Sequence, residues 1–589
     1  MPLLITNAAK SRILKLALII EIIALLVAAV AMSRDYQDSW VLEGLEIPFA
    51  IFMVTYAVYM LTEKRVTWLI VFALICRSVI LLIPNLKYVW FQGLYDQHSH
   101  YRLTQDIYNE GHIPSGRLYS DTPLMHLLFV IYSLITNAPI LQTFKYFPVL
   151  AWFIYPLLIY LVIKKSGLME NSSILKYALI ISSIPIKFET SYVVMGTLCG
   201  SLLSFLILLQ MIKMLRNNDR RDWLVALIYI LSLVATHTYS SIMIMVALLA
   251  ICLILLLLRS KILLKLTSLS VVLTVVVVNF TWLSFKATHI FDTIIGIEIL
   301  YIKRSIGFET IYKTSVPPRF FEIGFVDELK TILVFHGADI LLIILTLIGV
   351  MVVIKKYCDR SKPTLMFFSL YVVSLWLFLV AGVFLFRHAE QWYERLITLS
   401  FVVSPIFSGI SLFYIKKKMR NTTLIIFVII LLLMALAAIE LYRCQPLIPP
   451  STTISKDLPT DEPLVYVNIV NTAYQRYMIK HAERHIPNGV PVACDRISLY
   501  QIRGLTGYSF SHFHQYYYPF LKLLDQNVTE RKFDHFLIHF PGKSGALHEK
   551  AEIRTRGLIS QVIYNSSVIY ANGESYILTN PFMVSFNRP

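Results

Sequence analysis

The chain has 589 residues, of which 57% are apolar and 15% are charged, and its mean hydropathy is +0.66. Soluble globular chains are about 45–50% apolar and about 25% charged, so this composition excludes a soluble enzyme, a disordered scaffold and a disulfide-stapled secreted domain. The net charge of +17 would suggest nucleic acid in a soluble chain, but cytoplasmic loops of membrane proteins also collect Lys and Arg. We expect a polytopic α-helical membrane protein that binds no nucleic acid.

Apolar runs of membrane-spanning length recur from Ile13 to Ile439. Since a helix needs roughly 20 apolar residues to cross a bilayer core, runs of roughly 14–25 residues predict about 13 transmembrane helices. The predicted spans are Ile13–Met32, Pro48–Leu61, Val66–Ile83, Phe147–Ile163, Ile174–Ile186, Tyr192–Ile212, Trp223–Ala235, Ile242–Leu258, Ile262–Phe285, Thr331–Ile354, Leu365–Phe386, Leu396–Tyr414 and Leu424–Ile439.

One shorter apolar run, Pro123–Thr136, decides on which side of the membrane the basic residues lie. If it lies along the outer face as an interfacial helix, every strongly basic loop falls on one side. Those segments carry Lys10/Arg12/Lys15, Lys64/Arg65, Lys164/Lys165/Lys176, Lys213/Arg216/Arg220/Arg221, Arg259/Lys261/Lys265, Lys355/Lys356/Arg360/Lys362 and Lys416/Lys417/Lys418/Arg420. Because cytoplasmic loops collect Lys and Arg, we expect a multi-pass protein of the cell membrane with a cytoplasmic N-terminus and an extracytoplasmic C-terminal segment.

The composition becomes polar at about Tyr442, where prolines at positions 446, 449 and 450 predict a linker. We therefore divide the chain into a transmembrane domain, residues 1–440, with an outer loop at residues 85–145, and a soluble extracytoplasmic domain, residues 441–589. The predicted elements of the second domain are a helix over Tyr474–His485, strands at Val490–Cys494 and Phe536–His539, and a strand or hairpin over Val568–Leu578. This mixture predicts a small α/β fold.

The first long outer loop concentrates residues that carry chemistry, beginning with Asp96, His98 and His100. On a helix Asp96 and His100 share a face, because they are four residues apart. A carboxylate there can accept a proton from a hydroxyl group. Asp96 with His98 or His100 can also bind a divalent cation such as Mg²⁺ or Mn²⁺, and the sequence leaves the metal open. The alternative is an ordinary solvated loop, which is the more frequent fate of a single His.

Further candidates lie in the other outer turns. Glu189 stands in a short turn between two apolar runs, where it either works in a site or pairs with Lys187. Arg387 and Arg395 lie on the outer side against the charge trend, and arginine binds phosphate oxygens in a bidentate manner. Pairing with neighbouring glutamates or snorkelling is the alternative explanation for them. His237 lies at an outer helix end and is predicted to face the same cavity.

The order of these parts resembles the GT-C superfamily of membrane glycosyltransferases, with distant similarity to prokaryotic oligosaccharyltransferases and protein mannosyltransferases. Asp96 matches the acidic residue early in the family's first outer loop, and Tyr119–Leu124 matches its Tyr/Pro-rich entry to the next helix. Glu189 matches a second acidic residue in a short outer turn. Arg395 followed by Pro405 matches an Arg at the start of a late span.

The resemblance implies transfer of a sugar from a polyprenyl- or dolichyl-phosphate-linked donor to a glycan or protein acceptor at the outer face of a lipid membrane. Asp96 would act as base, Arg395 or Arg387 would bind the donor phosphate, and Glu189 would orient the acceptor or share a metal with Asp96. The chain departs from the oligosaccharyltransferase pattern, since all eight tryptophans precede Tyr442 and the WWDYG motif is missing. The departure favours a monosaccharide or glycan transferase over an enzyme that recognises protein sequons.

Two other functions remain open at this point. A polymerase or ligase of lipid-linked glycans also places arginines and acids on outer loops, but a dominant late outer loop would favour it, and the longest loop here comes early. A polytopic transporter or flippase predicts broken helices and charges near the membrane midplane, whereas most candidate residues here cluster at the outer surface.

Overall fold

The computed structural model is mostly helical, with a small β-sheet near the C-terminus. It describes residues 7–32, 42, 44–87, 95–114, 119–168, 172–184, 196–217, 220–257, 269–287, 325–357, 363–386, 396, 398–418, 422–442, 492–494, 513–515, 535–539, 568–571 and 575–579. In chain order the helices are α1 (Asn7–Ala31), α2 (Glu46–Thr62), α3 (Val66–Lys87), α4 (Tyr95–Glu110), α5 (Leu124–Thr136), α6 (Ile140–Trp152), α7 (Tyr155–Lys165), α8 (Ser172–Ser183), α9 (Gly196–Asn217), α10 (Arg220–Thr236), α11 (Thr238–Leu257), α12 (Leu269–Phe285), α13 (Phe325–Tyr357), α14 (Pro363–Phe386), α15 (Ser404–Lys418) and α16 (Thr422–Tyr442).

Four helical segments among the described residues are long and apolar enough to cross a membrane: Ser11–Ala31, Val66–Lys87, Ile140–Lys165 and Gly337–Lys356. Shorter apolar helices of 10–17 residues accompany them. The predicted helical membrane fold is confirmed, while the number of 13 spans stays a prediction. The helix α5 has 13 residues and rises only about 20 Å, too short to cross a bilayer core upright, which agrees with an interfacial position.

The helix α15 packs between α8 and α13 at very close range. A Cβ atom on Gly349 of α13 would collide with the backbone of Phe407, and one on Gly409 would meet the carbonyl of Ile174. Small residues let membrane helices approach closely, so these two glycines fix the centre of the bundle.

The buried Arg77 of α3 ties together three other helices. Its Nε donates to the carbonyl of Trp152 at 2.9 Å and its Nη1 to the carbonyl of Ser182 at 2.7 Å. Its guanidinium carbon also lies 4.8 Å from the ring centroid of Tyr155. Carbonyls at the ends of α6 and α8 lack helical partners and carry partial negative charge, so a buried cation satisfies both ends. Arg77 is therefore a packing residue.

The helical stretch that precedes α15 is interrupted by a turn at residues 402–403. Pro405 has no N–H to donate to the carbonyl of Phe401, four residues earlier. The hydroxyl of Tyr155 replaces that donor, because it lies 3.0 Å from the carbonyl oxygen of Phe401 and 2.9 Å from that of Val402. The predicted continuous span Leu396–Tyr414 is thus kinked, and α7 holds the kink.

The described strands form one sheet: β1 (Val492–Cys494), β2 (Phe513–Gln515), β3 (His535–His539), β4 (Val568–Ala571) and β5 (Ser575–Thr579), in the order β2-β1-β3-β5-β4. The strand β1 pairs in parallel with β2 and β3, while β5 pairs antiparallel with β3 and β4. The predicted strands and the hairpin are present, and β2 was not predicted. The predicted helix Tyr474–His485 lies outside the described residues, so the α/β domain remains a prediction.

Candidate functional site

The helix α4 begins one residue before Asp96 and carries three predicted site residues near its start: Asp96, His98 and His100. The helix itself was not predicted from the sequence, but within it Asp96 and His100 lie one turn apart, as a spacing of four residues requires. The side chains of Asp96 and His98 lie outside the described residues, as do Glu189, Arg387 and Arg395. The roles of these residues stay predictions.

An aromatic cluster fastens α4 to its neighbours. The ring of Tyr101 packs edge-on against Phe144 of α6, with 5.3 Å between ring centroids, and Phe129 of α5 packs against the same ring at 4.8 Å. Burial raises the pKa of Tyr101 to about 12, and its hydroxyl accepts a hydrogen bond from Gln105. Because aromatic pairs of this geometry add packing energy, Tyr101 stabilises the packing of α4 on α6.

A pair of buried histidines lies directly beneath the first turn of α4. The Nδ1 atom of His100 is 2.9 Å from Nε2 of His126 on α5, and both side chains are buried. The ring of Tyr119 stacks on His100, with 4.2 Å between centroids and an interplanar angle of 24°. A hydrogen bond between two imidazoles needs a donor on one ring and an acceptor on the other, so two neutral rings share this bond through one N–H group.

Burial keeps this histidine pair uncharged at neutral pH. It lowers the pKa of His126 to about 3 and also lowers the pKa of His100. Positive charge on His126 or His237 disfavours protonation of His100 further. His126 escaped the sequence analysis because it lies inside an apolar run, although one imidazole among aliphatic residues is itself a signal for a buried polar contact.

The turn that carries Tyr119 is held in an unusual backbone conformation. Tyr119 has φ of +70°, in the left-handed region that side chains with a Cβ rarely adopt. Its carbonyl accepts the N–H of Thr122 at 3.0 Å, and Ser120 Oγ donates to the carbonyl of Pro114 at 2.6 Å. Strain of this kind, of order 1–3 kcal/mol, persists only where the surroundings enforce it and is concentrated at functional sites. The Tyr/Pro-rich motif is thus assembled around His100.

His237 lies at the junction of α10 and α11, and α5 packs on α10. Its Nδ1 accepts the backbone N–H of Ser240 at 3.2 Å and lies 2.7 Å from the Ser240 hydroxyl, so Nε2 carries the proton in the neutral ring. A protonated His237 would lower the pKa of His100, so the two predicted histidines belong to one region of the molecule.

Another carboxylate of α4 has a structural task. The buried Asp106 forms an ion pair with Arg102, one turn earlier on the same helix, with 2.7 Å between Oδ1 and Nε. No three His, Cys, Asp or Glu side chains among the described residues are arranged to hold a metal ion. The His100 and His126 nitrogens that face each other are also occupied by their mutual hydrogen bond. The predicted divalent cation, which relies on Asp96 and His98, stays a prediction.

Comparison with protein-family models and with curated proteins found no match. Among solved structures, the chain is similar to the archaeal oligosaccharyltransferase AglB from Archaeoglobus fulgidus in complex with an inhibitory peptide and a dolichol-phosphate. The TM-score is 0.52 at 13% identity, over 89% of this chain and 74% of AglB. An oligosaccharyltransferase from the same organism, tethered with an acceptor peptide, gives a TM-score of 0.51 at 12% identity, over 87% and 74% of the two chains.

The ArnT protein from Cupriavidus metallidurans, bound to undecaprenyl phosphate, has a TM-score of 0.48 at 9% identity, over 87% of this chain and 98% of ArnT. The likeness to the Archaeoglobus structures concerns the fold, and it confirms the resemblance at that level.

Proposed function

We propose that this chain is a membrane glycosyltransferase that transfers a sugar from a polyprenyl- or dolichyl-phosphate-linked donor to a glycan or protein acceptor on the outer face. The observation that carries the proposal is the buried, neutral pair of His100 and His126, which we call the histidine floor. His100 lies one helical turn from Asp96, and the ring of Tyr119, whose backbone is strained, stacks on it. The fold supports it, because the similar AglB structure contains a dolichol-phosphate and an inhibitory peptide.

In the proposed reaction Asp96 accepts the proton of an acceptor hydroxyl group while the oxygen attacks the anomeric carbon of the donor sugar. The bond between that carbon and the phosphate oxygen breaks, and the lipid phosphate leaves with the bonding electron pair. Arg395 or Arg387 stabilises the negative charge on the leaving phosphate, and Glu189 orients the acceptor. The lipid tail stays in the bilayer throughout, so the reaction belongs at the membrane surface.

In this reaction the pair of His100 and His126 supports the start of α4 and keeps the surroundings of Asp96 free of added positive charge. Because His100 and His126 are uncharged at pH 7, they add no positive charge one turn from Asp96. A nearby cation would lower the pKa of Asp96 and weaken it as a base. The aromatic cluster of Tyr101 keeps the same turn in place.

The proposal also fixes an orientation in the membrane. The lysine-rich loops face the cytoplasm together with the N-terminus, as the positive-inside rule predicts, and α4, α5 and the C-terminal α/β domain lie outside. In this arrangement the external domain covers the acceptor.

The central experiment replaces Asp96 by Asn in the purified, lipid-reconstituted protein. Turnover is measured with a panel of polyprenyl-phosphate monosaccharides and one lipid-linked oligosaccharide. We expect Asp96→Asn to lower transfer by about 100-fold or more, because the base is lost. The control is Glu110→Gln, an exposed carboxylate at the other end of α4, which should change transfer by less than about twofold.

Unchanged turnover in Asp96→Asn would remove Asp96 as the base. Movement of the intact donor across the bilayer, with no cleavage of its sugar–phosphate bond by the wild-type protein, would identify a flippase instead.

A further inference from the structure

A basic cavity of about 290 Å³ lies at the end of the bundle away from α4. We call this the lysine-rich end and define it by Lys164, Lys355, Lys356 and Lys416–Lys418, where α7, α13 and α15 finish. Two hydrogen bonds join neighbouring elements there: Lys416 Nζ donates to Ser173 Oγ of α8, and Lys176 Nζ of α8 donates to the carbonyl of Leu61 of α2.

The cavity combines a positive rim with an apolar floor. Lys356, Lys417 and Lys418 form the rim and are exposed, while Ile410 and Phe413 belong to the floor. Tyr414 adds an aromatic wall, and the Lys418 ammonium lies 5.4 Å from its ring centroid. Amphipathic side chains of this kind collect where a helix leaves the bilayer, with stems in the apolar layer and heads in water.

The charge in this cavity is of one sign, since none of its described lining residues is acidic. A nearby carboxylate of this end, Glu63 at the turn between α2 and α3, is already engaged by Lys15 at 3.1 Å. The described lining residues therefore carry positive charge only, which favours an anionic ligand.

We infer that this cavity binds the headgroup of an anionic phospholipid from the adjacent leaflet. The phosphate lies among Lys356, Lys417 and Lys418, and the glycerol with its first methylenes lies over Ile410 and Phe413. Basic pockets between membrane helices are suited to such headgroups. A free phosphate ion would find the same cations but would make no use of the apolar floor. A bound lipid would brace α13 against α15, independently of the reaction proposed at α4.

The test compares two triple variants with equal charge. The cavity variant is Lys356→Gln, Lys417→Gln and Lys418→Gln, and the control variant is Lys64→Gln, Lys164→Gln and Lys355→Gln. All six lysines are exposed at the same end, so both variants should fold. The purified full chain is titrated with phosphatidylglycerol or phosphatidylcholine, and bound lipid is counted by native mass spectrometry. We expect the cavity variant to bind phosphatidylglycerol about tenfold or more weakly, and the control to stay within about twofold of wild type.

Each other outcome overturns the inference. Equal weakening in both variants would mean general surface attraction, and equal binding of the two lipids by the wild type would mean no headgroup recognition. Displacement of phosphatidylglycerol by an equal concentration of inorganic phosphate would assign the cavity to a free anion. An arginine version of the cavity variant, with the charge retained, should restore lipid binding.

Discussion

The two ends of α3 bury polar groups in opposite ways. At the lysine-rich end Glu63 stays ionised, because it accepts hydrogen bonds from Ser11 and from the backbone N–H groups of Lys64 and Arg65, and pairs with Lys15. Burial alone would raise the pKa of Glu63, but these donors lower it to about 2. At the α4 end His100 and its partner stay neutral.

This difference between Glu63 and the histidine pair distinguishes a structural anchor from a candidate functional site. A carboxylate saturated with donors keeps one protonation state over the physiological range and fixes α1 to the turn between α2 and α3. The two buried imidazoles stay neutral beside a tyrosine with a strained backbone, and strain of this kind is concentrated at functional sites. Under the proposed function the lysine-rich end is an anchor and the α4 end carries the chemistry, and each prediction below acts on one end.

The largest effect is expected from Glu63→Gln. Removing one partner of a buried ion pair leaves Lys15 without its counter-charge, so the free energy of unfolding should fall by about 3 kcal/mol. Thermal unfolding of the detergent-purified protein measures this loss, with Glu110→Gln as the exposed control. Sugar transfer per folded molecule should stay at the wild-type level. A loss of transfer with unchanged stability would break the assignment of this end as an anchor.

The second effect is a pH dependence that distinguishes the ends. The pKa of His126 is about 3 in the folded chain and about 6.5 in the unfolded chain, so its contribution to stability is complete above pH 6.5 and is lost as the pH falls towards 3. At pH 5 the loss is about 2 kcal/mol. Glu63, whose pKa is depressed, contributes above about pH 4.5 and loses its contribution only as the pH falls to about 2.

Hydrogen exchange at pH 5 and pH 7.5, corrected for intrinsic rates, measures this difference. Peptides from α4 and α5 should lose protection at pH 5, while residues 59–66 keep theirs. His126→Gln should flatten the response, and the exposed His112→Gln should leave it as in wild type. Equal loss of protection at both ends would contradict the comparison.

The sequence predicted one end of the molecule better than the other. The lysine-rich end follows from the charge pattern, because the positive-inside bias is a property of composition. At the α4 end the spacing showed only that Asp96 and His100 share a face if the segment is helical, and the helix itself was not predicted. The pairing of His100 with His126 was not predicted either, because it joins residues 26 positions apart through tertiary packing.

The kink before α15 shows the same limit. Pro405 entered the sequence analysis only as part of the family resemblance, and the kink was not predicted. Nothing in the sequence indicates that Tyr155, 246 residues from Phe401, supplies the missing donor. Sequence spacing cannot show whether Glu189, Arg387 and Arg395 lie near Asp96, because they are far from it along the chain. Their convergence on Asp96 remains a prediction.

A third effect tests whether the kink before α15 contributes to the reaction proposed at the α4 end or only to stability. Tyr155→Phe removes the hydroxyl that satisfies the carbonyls of Phe401 and Val402, and should lower the free energy of unfolding by about 1.5 kcal/mol. Tyr160→Phe on the same helix is the matched control. If the kink positions Arg395, transfer by folded Tyr155→Phe should fall through a higher KM for the donor. If Tyr155→Phe keeps the wild-type KM for the donor, the kink contributes to packing and not to donor binding.

The smallest effect concerns the backbone strain at Tyr119. Among the described residues of the lysine-rich end, no residue other than glycine has a positive φ. Tyr119→Gly and Tyr119→Ala both remove the ring that stacks on His100, so the two variants lose the same contact. They differ at the backbone, because glycine adopts φ of +70° without penalty and alanine does not. The glycine variant should therefore be more stable than the alanine variant by about 1 kcal/mol, measured by thermal unfolding. If the alanine variant were as stable as the glycine variant or more stable, the positive φ at position 119 would cost no free energy, and the strain assigned to Tyr119 would be absent.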